Sequence, residues 1–338
     1  MKNIVLCGCG GMAHAWMNNI VPRKDFNFVG LVDLFIDCAK KMKETYQLDC
    51  DVYTSLDEAL AENNVDLVLD ITIPDAHFGI ASTAMRAGCD VLSEKPMASD
   101  IEKARELVEI SRETGKLYAI MQNRRYLKGI RAFKEVTDKS VIGEMGILQS
   151  DFYLGPHFGG FREIMDNVLV LDMAVHTFDM ARYIYGCDPV SVYCQEYNPK
   201  WSWYNGASSA VCFFEMENGG VFIYNGSWAA EGCQTSWEAD WRAVGENGSA
   251  IWNTSGDLYA EVVDGRQENG APIALKRVEP EYKWEGREGH DGCLDEMFEY
   301  FETGKIPMTV CSDNIKTMEM VFGVIKSSET GKKVYFNK

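Results

Sequence analysis

Residues Ile4–Ala13 read IVLCGCGGMA, and this stretch decides the fold. Its first four residues are apolar, as is typical of a short buried strand, and the glycines that follow end the strand in a tight loop. The spacing matches G-x-G-x-x-G/A, the loop that joins a strand to a helix in dinucleotide-binding βαβ units. In such a loop Gly8 permits the turn, Gly10 lets the backbone approach a pyrophosphate, and Ala13 allows close packing of the helix on the strand.

The acidic residue that such a unit requires is also present. The amides of Gly11 and Met12, at the start of the helix, would face the phosphates. A carboxylate that binds ribose hydroxyls is expected about 20 residues further on, and Asp33 ends the apolar run Val29–Asp33. It would repel a 2′-phosphate, and apolar residues rather than an arginine follow it, so the sequence predicts NAD, with NADP disfavoured. The alternative, a glycine-rich turn without a ligand, is less favoured in this context.

The chain up to Met121 alternates apolar runs with helix-like segments. The runs are Ile4–Cys7, Phe28–Asp33, Leu67–Thr72, Val91–Leu92 and Leu117–Met121. Ser55 with Glu58, and Ser99 with Glu102, match the capping box and predict two helix starts. Nearly continuous apolar strands separated by helices predict a doubly wound parallel sheet of the Rossmann type, and hence an α/β class.

After Tyr126 the pattern changes. A long apolar helix is predicted over Asn167–Tyr185, and late helices over Cys293–Glu302 and Asn314–Ser327. Strand-like runs with hairpin turns between them predict a largely antiparallel sheet: Val190–Glu196, Ser209–Glu215, Val221–Trp228, Ser236–Val244 and Ala250–Asn253. At roughly 150 residues per domain, we expect a dinucleotide-binding domain over residues 1–123 and a substrate-binding and oligomerisation domain over residues 124–338.

Composition excludes several classes of function. The net charge of −18 disfavours nucleic acid and anionic membranes as partners. The sequence has neither an apolar run of the roughly 18 residues that a membrane span needs nor a signal peptide pattern. Its 11 cysteines are scattered and odd in number, which predicts reduced thiols in the cytoplasm rather than a disulfide framework. No Cys/His spacing typical of a metal site is present, so no metal is expected.

Lys95 is the first candidate for chemistry. It lies in Ser93–Pro96, directly after the run Val91–Leu92. The carboxyl ends of strands border the ligand crevice of a doubly wound sheet, so Lys95 would point towards a nicotinamide. Position alone favours the alternative, a surface lysine in a loop.

The helix Asn167–Tyr185 carries a stronger signal. It is apolar nearly all round, which predicts burial, yet Asp172, His176 and Asp179 fall at i, i+4 and i+7 on one face. Buried polar groups are costly without partners, so this stripe indicates a shared site. The alternative is a structural carboxylate–histidine pair, with Asp179 paired to Arg182.

These residues fit the oxidation of an alcohol. A neutral His176 would accept the hydroxyl proton, a role worth about 10²–10⁴ in rate. Asp172 would orient the imidazole and stabilise its charged form. The Lys95 ammonium would stabilise the developing alkoxide.

At this point the sequence resembles the glucose–fructose oxidoreductase, inositol dehydrogenase and rhizopine-catabolism family (GFO/IDH/MocA). The resemblance covers nearly the whole chain and rests on Gly8–Ala13, Ile73–His77, Glu94–Pro96, Asn123–Tyr126 and Asp172–His176. It implies an N-terminal Rossmann domain and a C-terminal domain with a large open, mostly antiparallel sheet. Because that sheet commonly forms the oligomer interface in the family, we expect a homodimer or homotetramer.

The resemblance also implies site residues and an activity. Lys95, Asp172 and His176 match the family's catalytic set. Positions that usually line the cofactor cleft are matched by Ile73, Pro74, His77, Glu94, Lys95 and Gln122. The implied activity is that of an NAD-dependent dehydrogenase acting on a secondary hydroxyl of a sugar, glycoside or cyclitol. Two alternatives stay open: redox-assisted glycoside cleavage, and a cofactor-binding regulator without turnover.

The stretch Asp151–Arg162 is rich in glycine and aromatic residues and would form a loop over the substrate. Together with Lys95, Asp172 and His176, the candidate substrate contacts are Tyr153, His157 and Arg162. His157 fits a hydrogen-bonding role in the loop better than a catalytic one. Arg162 would bind a carboxylate or phosphate of the substrate, or pair with Glu163 or Asp166.

Three tryptophans follow in the later strand-like runs: Trp228, Trp237 and Trp241. Aromatic faces suit sugar rings, but tryptophans in strands more often belong to a core or an interface. We therefore expect these three to be structural.

Overall fold

The computed structural model describes residues 1–336. By their contacts these residues divide into two compact units. The first unit consists of Met1–Asn123 and Arg287–Met318, and the second of Arg124–Gly286 and the residues from Glu319 onward. The segment Arg287–Met318, which the sequence analysis placed in the second domain, thus makes its contacts within the first unit. The predicted domain range 124–338 ends in two residues that lie outside the described part.

The first unit contains the predicted Rossmann sheet. Its strands are β1 (Lys2–Cys7), β2 (Phe26–Val32), β3 (Asp51–Tyr53), β4 (Leu67–Asp70), β5 (Asp90–Ser93) and β6 (Tyr118–Ile120). They lie in the order β3-β2-β1-β4-β5-β6 and pair in parallel throughout. The helices between them are α1 (Ala13–Ile20), α2 (Ile36–Tyr46), α3 (Leu56–Glu62), α4 (Pro74–Arg86) and α5 (Ile101–Thr114).

Of the two helix starts predicted from capping boxes, one is confirmed and the other lies one residue later. Ser55 Oγ accepts from the Glu58 amide and caps α3. The N-cap of α5 is Asp100, whose carboxylate accepts from the Lys103 amide at 2.8 Å. The prediction from Ser99 began one residue early, because a carboxylate directly before the helix is favoured both as a cap and by the helix dipole.

The second unit is built on a nine-stranded sheet. Its helices in this part of the chain are α6 (Lys128–Val136), α7 (Lys139–Ile142) and α8 (Val175–Tyr185). Its strands are β7 (Met145–Tyr153), β8 (Pro189–Tyr197), β9 (Ser209–Met216), β10 (Val221–Ser227), β11 (Asp240–Gly245), β12 (Gly248–Trp252), β13 (Leu258–Arg266), β14 (Pro272–Val278) and β15 (Val334–Tyr335). Their order is β14-β13-β12-β11-β7-β10-β9-β8-β15. β7 pairs with β10 in parallel, and the other described pairs of this sheet are antiparallel. The prediction of a largely antiparallel sheet is therefore confirmed.

The predicted long apolar helix has two parts. Leu169–Ala174 is π-helical and continues directly into α8. Phe178 of α8 packs edge-on against Phe214 and Tyr224 of the sheet, at ring distances of 5.2 and 5.3 Å. A single continuous core lies between this helix and one face of the sheet. π-helical turns occur frequently at functional sites, and here the turn contains Asp172.

Two late helices complete the chain. α9 (Gly289–Thr303) belongs to the first unit, and α10 (Cys311–Thr330) begins there and ends in the second. Both helices were predicted, with each end one to four residues short of its position in the structure. Over residues 1–336, no helix combines the length and apolarity that crossing a membrane requires.

Candidate active site

The glycine loop between β1 and α1 has the geometry that its motif predicts. Gly8 has φ +90°, and a Cβ built on it would lie 2.4 Å from the carbonyl oxygen of Ile71. Only glycine fits there, because a side chain would meet both backbone strain and a backbone clash. Cβ atoms built on Gly10 and Gly11 would meet nothing within 4 Å, and both residues are exposed. One side of the loop is therefore open to a ligand.

The Asp33 carboxylate fixes the glycine loop through a hydrogen bond to its backbone. Its Oδ2 accepts from the Cys9 amide at 2.8 Å and its Oδ1 from the Phe35 amide at 2.9 Å. Each oxygen keeps a further lone pair, since a carboxylate offers about four acceptor positions. Asp33 thus fixes the loop and can still accept from ribose hydroxyls.

The loop after β4 and the first turns of α4 contain three predicted cofactor residues in different settings. Ile73 is 62% exposed, and Pro74 occupies the first turn of α4, where its missing N–H costs nothing. His77 is fully buried, and its Nδ1 lies 2.8 Å from Asp70 Oδ2. Burial raises the pKa of Asp70, but the interactions with His77 and Thr72 together lower it more, so the net pKa lies below its usual value. The structure gives His77 a supporting position beneath the loop.

Gln122 follows β6 and is fully buried. Among residues 1–336, neither its amide nitrogen nor its amide oxygen has a hydrogen-bond partner. A buried amide without partners is costly, and a ligand that supplies a donor and an acceptor would remove this cost.

Glu94 and Lys95 lie directly after β5, and Pro96 follows them through a cis peptide bond. The Glu94 Oε1 accepts from the Trp16 indole N–H at 2.7 Å and lies 3.7 Å from His290 Nε2. Burial raises the pKa of Glu94, but its interactions with His290 and Trp16 lower it more, so the carboxylate is ionised. Lys95 is half-buried beside it.

In the second unit the polar stripe has partners that the sequence analysis did not predict. Asp172 and His176 are each 7% exposed, so both are nearly buried. Asp172 pairs with Arg162, whose Nε donates to Oδ2 at 2.7 Å. The two predicted partners of Arg162, Glu163 and Asp166, are therefore replaced by Asp172, because pairing also satisfies the buried carboxylate.

Asp179 does not share the site of Asp172. It forms a two-pronged salt bridge with Arg125, at 2.6 and 2.7 Å, and both side chains are buried. The predicted pairing of Asp179 with Arg182 is wrong, since Arg182 donates to Asp188. The π-helical turn changes the angular spacing within the stripe, so the i, i+4, i+7 alignment of a regular helix does not apply.

The predicted substrate loop, Asp151–Arg162, is a loop only in part, because its first three residues belong to β7. Tyr153 belongs to β7 and is 37% exposed. His157 stacks on Trp203 with ring centroids 3.8 Å apart, and its Nε2 lies 2.9 Å from Glu231. These contacts agree with a hydrogen-bonding role for His157 in the loop.

An aromatic cluster surrounds this segment. Trp228 and Trp241 are buried, whereas Trp237 and Phe158 are exposed and stack at 6.3 Å. Arg162 lies over the Phe158 ring at 5.6 Å, so the cluster adjoins the Arg162–Asp172 pair. Trp228 and Trp241 thus belong to the core, as expected of structural residues, whereas Trp237 does not.

The residues of the first unit fit NAD. The open glycine loop, the Asp33 carboxylate and the buried Gln122 amide offer groups for phosphates, ribose hydroxyls and an amide, respectively. Among residues 1–336, no group of three or more His, Cys, Asp or Glu side chains has a metal-binding arrangement.

Two family models match the chain. One, described as the oxidoreductase family with an NAD-binding Rossmann fold, matches residues 2–122. The other, described as the GFO/IDH/MocA C-terminal domain, matches residues 130–251, and together they cover more than half of the chain. The chain belongs to the GFO/IDH/MocA family. It is an NAD-binding dehydrogenase of that family, as the sequence motifs predicted.

Individual relatives agree with this assignment. An uncharacterized protein of Sinorhizobium fredii is 25% identical over 97% of this chain and 93% of its own length. Inositol 2-dehydrogenase of Rhizobium meliloti is 28% identical over 55% of this chain and 56% of its own length. An oxidoreductase from Agrobacterium radiobacter, solved in complex with NAD+, L-tartaric acid and magnesium, has a TM-score of 0.83 at 20% identity, covering 99% of this chain and 98% of that one. This last similarity confirms the fold.

Three residues of the site region were not predicted. Arg125 was quoted as part of a motif but given no role, although a buried carboxylate on the helix required a cation. Trp16 had no signal beyond its place on α1. No role was predicted for His290. Its contact with Glu94 depends on the segment Arg287–Met318, which lies far along the sequence but belongs to the first unit.

Proposed function

We propose that this GFO/IDH/MocA dehydrogenase transfers a hydride between NAD and a secondary hydroxyl of a sugar, glycoside or cyclitol. The observation that carries the proposal is the near-complete burial of Asp172 and His176 on a largely apolar helix. Buried polar groups of this kind, beside a cation such as Arg162, are typical of a site that binds and deprotonates a polar substrate.

We assign the proton transfer to His176. As a neutral imidazole it would take the proton of the substrate hydroxyl, and Asp172 would stabilise the resulting imidazolium. Bound NAD supplies the hydride acceptor. Lys95 would stabilise the alkoxide that develops when the proton leaves. These assignments rest on the motifs Glu94–Pro96 and Asp172–His176 and on membership of the family.

The aromatic cluster supports a ring-shaped substrate. Phe158 and Phe161 are 58% and 52% exposed, and the Arg162 guanidinium lies over both rings. Exposed aromatic faces pack well against the C–H faces of sugar rings, and a guanidinium beside them can donate to hydroxyls. Tyr153 and His157 are further candidate contacts on the same segment.

A substrate panel tests the proposal. The purified enzyme is incubated with NAD and with hexoses, glycosides, inositols and uronates, and reduced cofactor is followed by its absorbance. We expect one class to yield stoichiometric reduced cofactor and a keto product, identified by mass spectrometry. Transient reduction without accumulation, together with a cleaved glycoside, would instead indicate redox-assisted cleavage. No reduction by any member of the panel would contradict the proposal.

We also propose that the chain forms a homo-oligomer through the nine-stranded sheet. The face of the sheet opposite the core exposes Tyr193 of β8, Val211 and Phe213 of the adjoining β9, and Ile147 of β7 beyond β10. Cross-strand apolar neighbours of this kind are typical of an interface. Light scattering after size exclusion should give a dimer or tetramer mass, and Phe213→Glu should shift it towards the monomer. A monomeric wild type would contradict this proposal.

A further inference from the structure

One buried carboxylate connects three elements of the first unit. Glu94, after β5, accepts from Trp16 of α1 and from the backbone N–H of Lys95, at 2.7 and 3.2 Å. His290, in the first turn of α9, approaches the same carboxylate at 3.7 Å. Because α1 begins at the glycine loop, Glu94 joins the helix of that loop to the Lys95 loop and to α9.

His290 makes its second contact with Asn123. The Asn123 amide nitrogen lies 3.2 Å from His290 Nδ1. An amide N–H donates, so Nδ1 accepts, which leaves the ring proton on Nε2, the nitrogen that faces Glu94. The other side of the Asn123 amide, Oδ1, is buried and has no hydrogen-bond partner among residues 1–336. Gln122, directly before Asn123, also has no hydrogen-bond partner for its side-chain amide among these residues. Two consecutive amide side chains therefore each have a buried oxygen that could accept a hydrogen bond.

The imidazole is held firmly because α9 packs on α1. Asn19 donates to the Asp291 carboxylate at 2.8 Å, and Arg23 pairs with Asp295. Both contacts lie within a few residues of His290 and link the two helices directly. His290 therefore has a fixed position relative to the helix of the glycine loop.

We propose that His290 is a positioning residue of the NAD site. It keeps the buried Glu94 ionised and oriented, and so fixes the Glu94–Lys95 backbone and the Asn123 amide before the cofactor binds. The inference rests on the proposed placement of Glu94, Lys95 and Gln122 in the cofactor site. His290 lies beyond both family-model matches, which end at residue 251, so the family motifs do not assign it this role.

The proposal predicts which substitutions of His290 preserve NAD binding. Without a donor at this position, the pKa of Glu94 rises, because only Trp16 and Lys95 then oppose the effect of burial, and the carboxylate loses a contact that orients it. A glutamine side chain offers both a donor and an acceptor, and can therefore replace both contacts of the imidazole. A leucine fills similar space and offers neither.

The test compares His290→Leu, His290→Gln and, as a matched control three residues earlier, just before α9, Arg287→Gln. Arg287 pairs with Asp295 and Asp291 on the exposed side of this region. NAD affinity is measured by calorimetry without substrate, and thermal unfolding verifies the fold. We expect the leucine variant to lose about tenfold in NAD affinity and the glutamine variant to stay within about threefold of wild type. Arg287→Gln should bind NAD as wild type does.

Equal weakening in the leucine and glutamine variants, or unchanged affinity in the leucine variant, would overturn the proposal. A second readout uses the folded wild type. The imidazole resonances of His290, assigned by their absence in His290→Gln, should shift when NAD binds, and unshifted resonances would also overturn it. Neither readout requires turnover, so an enzyme inactive on every substrate would contradict the proposed function and leave this test intact.

Discussion

Arg162 donates two hydrogen bonds to the carboxylate of Asp172: its Nε lies 2.7 Å from Oδ2, and its Nη2 lies 3.3 Å from Oδ1. The same guanidinium lies over the rings of Phe158 and Phe161. The arginine thus links the candidate substrate segment to a carboxylate of the buried helix. Its planar fork and stacked position are properties that lysine does not share.

Arg162→Gln should therefore lower kcat/KM for the substrate by about 10- to 100-fold, because a nearly buried carboxylate loses a charged donor. Arg162→Lys should recover only part of this loss. NAD affinity, measured in parallel by calorimetry, should not change. Wild-type kcat/KM in Arg162→Gln would remove the arginine from the site.

The Arg125–Asp179 pair predicts an effect on stability. Asp179→Asn should lower the free energy of unfolding by about 3–5 kcal/mol, because a buried guanidinium then lacks its counter-charge. Urea unfolding measures this, and Arg125→Met combined with Asp179→Leu should recover much of the loss. Glu279→Gln, which breaks an exposed pair with Arg277, is the control and should leave the midpoint unchanged. A native midpoint in Asp179→Asn would contradict a structural role.

Asp33 predicts cofactor preference, and two variants separate its two roles. Asp33→Asn can still accept from the Cys9 amide but lacks the charge, whereas Asp33→Ala loses both. We expect NAD affinity to fall in both, and more in the alanine variant. The preference for NAD over NADP, measured as the ratio of the two affinities, should decrease in both variants, because the repulsion of a 2′-phosphate is lost. An unchanged ratio in the asparagine variant would show that the charge does not select the cofactor.

Glu196 predicts a pH dependence of stability. Burial raises its pKa from 4.5 to about 7, aided by Glu329 and opposed by the hydrogen bond from Asn167. The folded state therefore holds a proton that the unfolded state releases, so stability is fully present below pH 4.5 and falls as the pH rises to about 7.

Glu196→Gln stays neutral and should remove this dependence. At pH 8 the variant should be more stable than wild type by about 2–3 kcal/mol, and near pH 4 the two should agree. Urea unfolding at several pH values measures the difference. Glu215, whose pKa is lowered by Lys333 and Ser191, gives a control of opposite sign, and Glu215→Gln should show no such gain. A pH-independent difference for Glu196→Gln would contradict the raised pKa.

The elements that could be predicted from sequence are those with local signals. The glycine loop, the strand-end Asp33 and the apolar strands of the first unit determine the parallel sheet, since each depends on residues close in the chain. β3 was missed because it has only three residues, Asp51–Tyr53. β14 was missed because its residues are almost all exposed, so that it lacks the apolar alternation of a half-buried strand.

The site contacts were harder to predict because their partners lie far apart. Asp179 meets Arg125 across 54 residues of sequence, and no periodicity within the helix indicates it. The π-helical turn at Asp172 leaves the apolar pattern unchanged, so the sequence still reads as one regular helix. The contact of His290 with Glu94 required knowledge of where α9 packs.

The central claim is that His176 takes the proton of the substrate hydroxyl, and His176→Ala tests it most directly. With the substrate identified by the panel, the variant should lose about 10²–10⁴ in turnover while its NAD affinity stays near wild type. Added imidazole should restore part of the rate, because a free base can replace the missing one. Wild-type turnover in His176→Ala at neutral pH would contradict the account.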